Sequence, residues 1–172
     1  IVSKVKAEAP DAIYASGYFF MAGPLVSQLR AAGVDVPVIG QEGYDGEMFI
    51  KIAGAAAEGV IITTSLDRDS TEPLAQAFIQ GFQKKSGYPA DMVSASTHTA
   101  VLVLAEAMKQ VDPSDKAALR QAIASTSINA ATGNISFNKL GEVRKSVQVQ
   151  VVRDGSWHHF AVISDPVLLA PP

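Results

Sequence analysis

The chain of 172 residues contains no cysteine, no strong excess of either charge and no apolar run long enough to cross a membrane. Without cysteine, disulfide scaffolds, thiolate zinc sites, iron–sulfur clusters and thiol catalysis are excluded. The 14 Lys and Arg residues stand against 17 Asp and Glu residues, whereas a nucleic-acid-binding protein would show a basic stripe. Hydrophobic residues make up 48% of the chain, so we expect a folded core rather than disorder.

Common catalytic and cofactor motifs are also missing. The sequence has no G-x-S-x-G nucleophile turn, no phosphate-binding loop with lysine, and no G-x-G-x-x-G after the first predicted strand. His158 and His159 are adjacent on a predicted strand, where their rings would point to opposite faces and could not share one metal. His98 is expected to be a partly buried helix residue, and the charged run Asp67–Asp69 is most simply a solvated loop. The sequence therefore predicts no enzyme activity, no cofactor and no metal site.

Short apolar strands alternate with helical patterns in the first third of the chain. Strands are predicted near residues 12–15, 36–39 and 59–64. Residues 17–23 are expected to form a loop, with the next helix beginning at Pro24, because proline suits the first helical position. This alternation is typical of βα units and predicts an α/β fold with a parallel sheet flanked by helices.

The later part of the chain changes its periodicity. A long helix is predicted from about residue 96 to 110, with Ser94 among the residues expected to cap it. Asp112 is expected to cap the following helix. After Gly133 the apolar residues alternate with period two, which predicts three strands, and Asp154-Gly155 favours a hairpin turn. A small antiparallel element is therefore expected near the C-terminus.

Two loops are expected at the same edge of the predicted sheet. They follow the first and second strands, and ligands of open α/β sheets bind beyond the carboxyl ends of the strands. A carboxylate beside aromatic rings suits an ammonium or other cationic group. The simpler alternative, that the rings only cover the end of the sheet and the acidic residues are solvated, stays open. The candidate ligand-binding residues are Gly17, Tyr18, Phe19, Gln41, Glu42 and Tyr44.

Three stretches carry a recognisable family pattern. They are P-D-A-I-Y-A-S-G-Y at 10–18, I-A-G-A-A-A-E-G at 52–59 and T-G-N-I-S-F-N at 132–138. In this order they resemble the C-terminal half of type I periplasmic solute-binding proteins, in particular the branched-chain amino-acid (Leu/Ile/Val) binding proteins of ABC importers. The resemblance spans nearly the whole chain.

The resemblance implies two α/β lobes, joined by crossing strands, that close on a ligand. It implies that Tyr18 is an aromatic ligand contact and that Glu42 pairs with the ammonium group of an amino acid. The chain also departs from the family pattern. The residues 19–21 replace more polar ones, and His98 stands where a tyrosine is common, which favours a larger or aromatic ligand.

The function implied by the resemblance is capture of a small amino acid or related organic solute for an ABC importer. The implied partners are that solute and the membrane subunits of the importer, and the implied location is the periplasm or a lipoprotein anchor outside the cell. No reaction and no cofactor are implied. A cytoplasmic amide or amino-acid sensing regulator of the same fold, and a receptor for aromatic acids, remain alternatives.

The resemblance also implies a domain organisation. Residues 1–65 are expected to form second-lobe βα units, 66–145 first-lobe helices and a strand, and 146–172 returning strands and a tail. The first half of the family pattern is absent, so both lobes would be incomplete and their sheet edges bare. The sequence opens at Ile1 with no visible leader, so we expect either that a leader was removed or that the chain begins inside a longer gene product. We therefore expect part of a longer product, or self-association, such as a domain-swapped dimer, that completes the sheets.

Overall fold

The computed structural model describes residues 1–170, which divide into two compact units. Unit 1 comprises Ile1–Asp69 and Gln148–Ala161, and unit 2 comprises Ser70–Val147 and the residues from Val162 onward. Of the predicted segment 146–172, Pro171 and Pro172 lie outside the described residues. The assignment of the three predicted segments to lobes of a longer protein stays a prediction.

Helices and strands alternate along the described part of the chain. The helices are α1 (Val2–Glu8), α2 (Phe19–Ala31), α3 (Glu47–Ala53), α4 (Pro73–Ser86), α5 (Met92–Met108) and α6 (Lys116–Ser125). The strands are β1 (Ile13–Tyr14), β2 (Val38–Gly40), β3 (Ile61–Thr64), β4 (Ile128–Ala130), β5 (Gly133–Phe137), β6 (Val143–Arg144), β7 (Val147–Arg153) and β8 (Ser156–Ile163). Short 3-10 turns occur at Glu42–Tyr44 and Gly54–Ala57.

Unit 1 is built on a sheet with the strand order β1-β2-β3-β7-β8. The first three strands are parallel, and β7 is antiparallel to β3, with Ile61 opposite Val151. The β7–β8 turn contains Asp154 and Gly155 with φ angles of 50° and 69°, which fits the hairpin turn that the sequence predicts. The predicted α/β fold with an antiparallel C-terminal element is confirmed.

The core of unit 1 lies between the helices α2 and α3 and the sheet. The ring of Phe49 stacks against Tyr44 at 5.0 Å and against Trp157 at 5.7 Å, measured between ring centroids. The indole N–H of Trp157 donates to the carbonyl of Gly46 at 3.1 Å. Burial of each such ring stabilises the fold by about 1.5–3 kcal/mol. Fully buried aliphatic residues complete this core: Val26, Leu29, Val38, Val60, Ile62 and Val152.

The helix α2 begins earlier than the sequence indicates. The expectation of a loop over 17–23 was wrong, because α2 begins at Phe19 and contains Pro24 as its sixth residue. Proline at this position removes the N–H that would donate to the carbonyl of Phe20. Burial of the same helix face outweighs that loss, since Ala22 and Val26 are 2% and 0% exposed.

Unit 2 consists of the helices α4, α5 and α6 and an antiparallel sheet with the order β4-β5-β6. The capping residues differ from those expected. Asp91 caps α5, and Ser94 sits at the third helical position and completes a capping box with it. Asp115 caps α6, whereas Asp112 accepts from the N–H of Ser114 at 2.9 Å in the preceding turn. The short strands β4 and β6 were not predicted.

Among residues 1–170 no helix combines the length and the apolar character that a bilayer span requires.

Close packing of α2 on α3 depends on Gly23. A Cβ atom at this position would lie 2.5 Å from Cγ2 and 2.8 Å from Cβ of Ile52, and the β-branched isoleucine has little freedom to move. We expect Gly23→Ala to lower the free energy of unfolding by about 1–3 kcal/mol, measured by urea denaturation. The matched control is Gly81→Ala on α4, where nothing lies within 4 Å. It should raise stability by about 0.5–1 kcal/mol, and equal effects of the two substitutions would contradict the packing argument.

Candidate functional site

Two loops meet at the carboxyl edge of the parallel strands in unit 1. The side-chain Nε2 of Gln41, just after β2, donates to the carbonyl of Gly17, just after β1, at 2.7 Å. The hydroxyl of Tyr44 donates to the carbonyl of Ala15. Because both acceptors are backbone atoms, these bonds fix the path of the chain at the position where α/β sheets bind ligands.

Glycine is required where the two loops touch. A Cβ atom on Gly43 would lie 2.2 Å from the carbonyl oxygen of Gly17. A Cβ atom on Gly40 would lie 2.4 Å from the ring of Tyr44. A larger residue at Gly43 would push the two loops apart, and one at Gly40 would displace the ring of Tyr44. The glycines of the second loop therefore serve close packing at the edge of the sheet.

The six candidate residues lie at this edge in three kinds of environment. Tyr18, the N-cap of α2, is 59% exposed, and Glu42 is exposed at the start of its 3-10 turn. Gly17 and Gln41 are partly buried and join the loops. Phe19 is partly buried against the core of unit 1, and Tyr44 is 1% exposed within that core. Their part in ligand binding stays a prediction, with Tyr18 and Glu42 presenting the accessible groups.

The buried Tyr44 acts as a support of the loop. Burial raises the pKa of its phenol, and the nearby Tyr14 raises this pKa further. The hydroxyl therefore keeps its proton through neutral pH and remains a hydrogen-bond donor to Ala15.

An exposed aromatic cluster lies at the start of α2. The rings of Tyr18 and Phe20 are parallel within 2°, with centroids 5.9 Å apart. The ring of Phe19 meets Phe20 edge-on at 5.5 Å. Phe20 and Met21 are 57% and 54% exposed. The run Y-F-F-M in the sequence indicates an aromatic surface here. Because the run was predicted to lie in a loop, the stacking of Tyr18 on Phe20 could not be predicted.

The charged run Asp67–Asp69 forms a partly buried polar network. The guanidinium of Arg68 pairs with the carboxylate of Asp45, whose side chain is only 1% exposed. Arg68 also donates to Oε1 of the buried Gln150 at 2.8 Å, and the hydroxyl of Thr64 donates to Asp45 at 2.7 Å. The expectation of a solvated loop was wrong, because residues distant in sequence are brought together by the pairing of β3 with β7.

Both histidines of β8 bind carboxylates of this run. Nδ1 of His158 lies 3.1 Å from Asp69, and Nδ1 of His159 lies 2.9 Å from Asp67. The backbone N–H of His159 donates to Asp69 at 2.8 Å. Within residues 1–170 no group of three or more potential ligands is arranged to hold a metal.

The environment of His98 differs from the expectation. The sequence predicts a partly buried side chain, but the structure places His98 on an exposed face of α5. Its ring centroid lies 5.0 Å from that of Phe78. His98 therefore remains exposed despite this ring contact.

Protonation of the Asp69 carboxyl makes the stability of this network depend on pH. Burial raises its pKa, but the hydrogen bonds from the His159 N–H and the His158 ring, with the charges of both imidazoles, outweigh burial. The pKa of Asp69 therefore lies below its ordinary value of 3.8. A group with a lowered pKa stabilises the folded state above its unfolded pKa, and this stabilisation is lost as pH falls through its folded pKa.

We expect Asp69→Asn to lower the melting temperature between pH 5 and 7, and the difference from the parent protein to shrink as pH falls below about 4. Thermal denaturation followed by circular dichroism across this range measures the effect. Asp35→Asn, at an exposed carboxylate before β2, is the control for loss of one negative charge. If the difference in melting temperature stays constant down to pH 3, the ionised carboxylate of Asp69 is not the cause of the stabilisation.

The family model of periplasmic binding proteins matches residues 1–156. The chain is similar to the leucine-, isoleucine-, valine-, threonine- and alanine-binding protein of Pseudomonas aeruginosa, with 27% identity over 144 residues that cover 84% of this chain and 38% of that protein. It is 26% identical to the Leu/Ile/Val-binding protein of Escherichia coli K12 over the same shares.

A leucine-binding protein from Thermotoga maritima superposes on the structure with a TM-score of 0.89 at 29% identity. The match covers 96% of this chain and 48% of that protein. The chain therefore spans less than half the length of these relatives, and its α/β fold is that of type I binding proteins. The match over residues 1–156 and these similarities show that the chain belongs to the periplasmic binding protein family.

Proposed function

We propose that the protein is the substrate-binding component of an ABC importer, which captures an apolar amino acid or related organic solute by closure of two lobes. Family membership supports this proposal, as do the relatives named for binding leucine, isoleucine and valine. The protein would work in the periplasm and deliver its solute to the membrane subunits of the importer. Binding and release involve no covalent step, so the protein is not an enzyme.

The observation that carries the proposal is the position of Glu42. Its exposed carboxylate follows β2 at the carboxyl edge of the sheet, one residue after the Gln41 side chain that bonds to Gly17. Tyr18 follows Gly17 directly and is itself exposed. An anionic group and an aromatic ring thus stand on two joined loops, an arrangement that suits the ammonium group and apolar side chain of an amino acid.

Lobe closure strengthens the interaction of this carboxylate with an ammonium group. In water an exposed carboxylate binds an ammonium weakly, whereas removal of water on closure makes a charge-assisted hydrogen bond worth about 1.5–3 kcal/mol. The bonds from Gln41 and Tyr44 hold the loop in place before the solute arrives. Such preorganisation lowers the entropy lost on binding.

We expect Glu42→Gln to weaken the binding of an amino-acid ligand by about tenfold to a hundredfold. The substitution keeps the size of the side chain and removes the negative charge. The measurement is isothermal titration calorimetry of the full-length protein with leucine, isoleucine and valine.

Glu47→Gln on α3 is the matched control, because this exposed glutamate pairs with Lys51 on the surface. It should leave the affinity unchanged. Equal affinities of the parent protein and the Glu42→Gln variant would remove Glu42 from ammonium recognition.

Self-association belongs to the same proposal, and the helix α5 supports it. Its inner face buries Ala95, Val103 and Ala107, while Val101, Leu104 and Met108 on its other sides are 59%, 41% and 42% exposed. Exposed apolar residues that follow one another along one side of a helix commonly mark an interaction surface. In the 172-residue chain studied alone, a second copy would cover this surface.

The 172-residue chain should therefore elute as a dimer or larger species when its mass is measured by light scattering. Leu104→Glu places a charge on the exposed apolar surface and should shift the population toward monomer. Gln83→Glu, which adds the same charge at an exposed position of α4, should not. A monomeric parent chain over the micromolar range would contradict self-association.

A further inference from the structure

Tyr18 and Phe20 form an accessible pair of parallel rings at the edge of the sheet where the exposed Glu42 also lies. Both rings belong to the segment that follows β1, and each residue is more than half exposed. Isolated exposed aromatic residues are common on protein surfaces. Two stacked rings at the ligand-binding edge of a sheet, with the exposed Met21 next to them, are instead a typical binding surface.

The stack is held by the folded core rather than by the solvent-exposed rings alone. Phe19 packs against the core of unit 1 and meets the ring of Phe20 edge-on. Tyr18 is fixed as the N-cap of α2, directly after the Gly17 carbonyl that accepts from Gln41. Edge-on and stacked ring contacts have defined geometries, so the surface of this pair is oriented before a ligand binds.

We infer that this aromatic pair makes the site selective for solutes with a flat ring, and that Phe20 is the residue that determines this selectivity. The inference rests on the proposed function, because it assigns the solute's side chain to the surface beside the carboxylate that takes its ammonium. An aliphatic side chain such as that of leucine gains only apolar contact there. A ring gains the same contact and also a stacking interaction with the pair.

Two segments of the chain then recognise different parts of one solute. The second loop supplies the charge at Glu42, and the start of α2 with its N-cap supplies the rings of Phe20 and Tyr18. Met21 adds a flexible, polarizable side chain that adapts to the ring edge. The solute class that fits both is an amino acid with an aromatic side chain.

The test compares phenylalanine, leucine and phenylacetate by isothermal titration calorimetry of the full-length protein. The parent protein is expected to bind phenylalanine more tightly than leucine. Phe20→Leu keeps an apolar contact but removes the ring, and it should lower the preference for phenylalanine over leucine by about tenfold. Phe20→Tyr keeps the ring and should restore the preference.

The control is Phe160→Leu, the same substitution at a phenylalanine of β8 that is 51% exposed. It should leave the preference unchanged. Tighter binding of leucine by the parent protein, or an unchanged preference in Phe20→Leu, would overturn the inference while the proposed function stands. Binding of phenylacetate without phenylalanine would support the aromatic surface and overturn amino-acid recognition. Binding of none of the three solutes would overturn both.

Discussion

The ion pair between Arg68 and Asp45 is the interaction on which the architecture of unit 1 depends. Asp45 is almost fully buried and follows the turn that carries Glu42, while Arg68 follows β3 and also reaches Gln150 on β7. One guanidinium thus joins three segments. Removing one member of a buried pair leaves an uncompensated charge and typically costs about 3–5 kcal/mol. Thr64 donates a further hydrogen bond to Asp45, and Gln150 accepts one from Arg68, so the pair belongs to a larger polar network.

The same interaction explains how an exposed loop becomes a defined binding edge. The segment from Gln41 to Asp45 is tied at its start to Gly17 and at its end to Arg68. Glu42 lies between these two anchors. A carboxylate on an untethered loop would lose conformational freedom on binding, and the two tethers reduce that loss.

The sequence predicts the regular part of this protein well and its polar contacts poorly. The β-branched run of β3, the turn at Asp154-Gly155 and the family stretches identify the fold and the strand edge. The start of α2 was predicted wrongly from Pro24, because the burial of Ala22 and Val26 in the core outweighed the preference of proline for the first helical position. The run Asp67–Asp69 could not be understood locally, because its partners at 45, 150 and 158–159 become neighbours only when the strands pair. The positions of Gln41 and Glu42 were predicted, whereas the contact from Gln41 to Gly17 required the three-dimensional structure.

The hydrogen bonds that join the two loops bear on how the ligand preference of such a protein can evolve. Gln41 and Tyr44 bond to the backbone carbonyls of Gly17 and Ala15, and a carbonyl oxygen is available whatever side chain its neighbours carry. Substitutions at Tyr18, Phe20 or Met21 therefore alter the accessible surface without removing what holds the chain in place. Mutation can change which solute is preferred while the scaffold stays stable. Proteins descended from one ancestor of this kind can therefore diverge in ligand preference and keep the same fold.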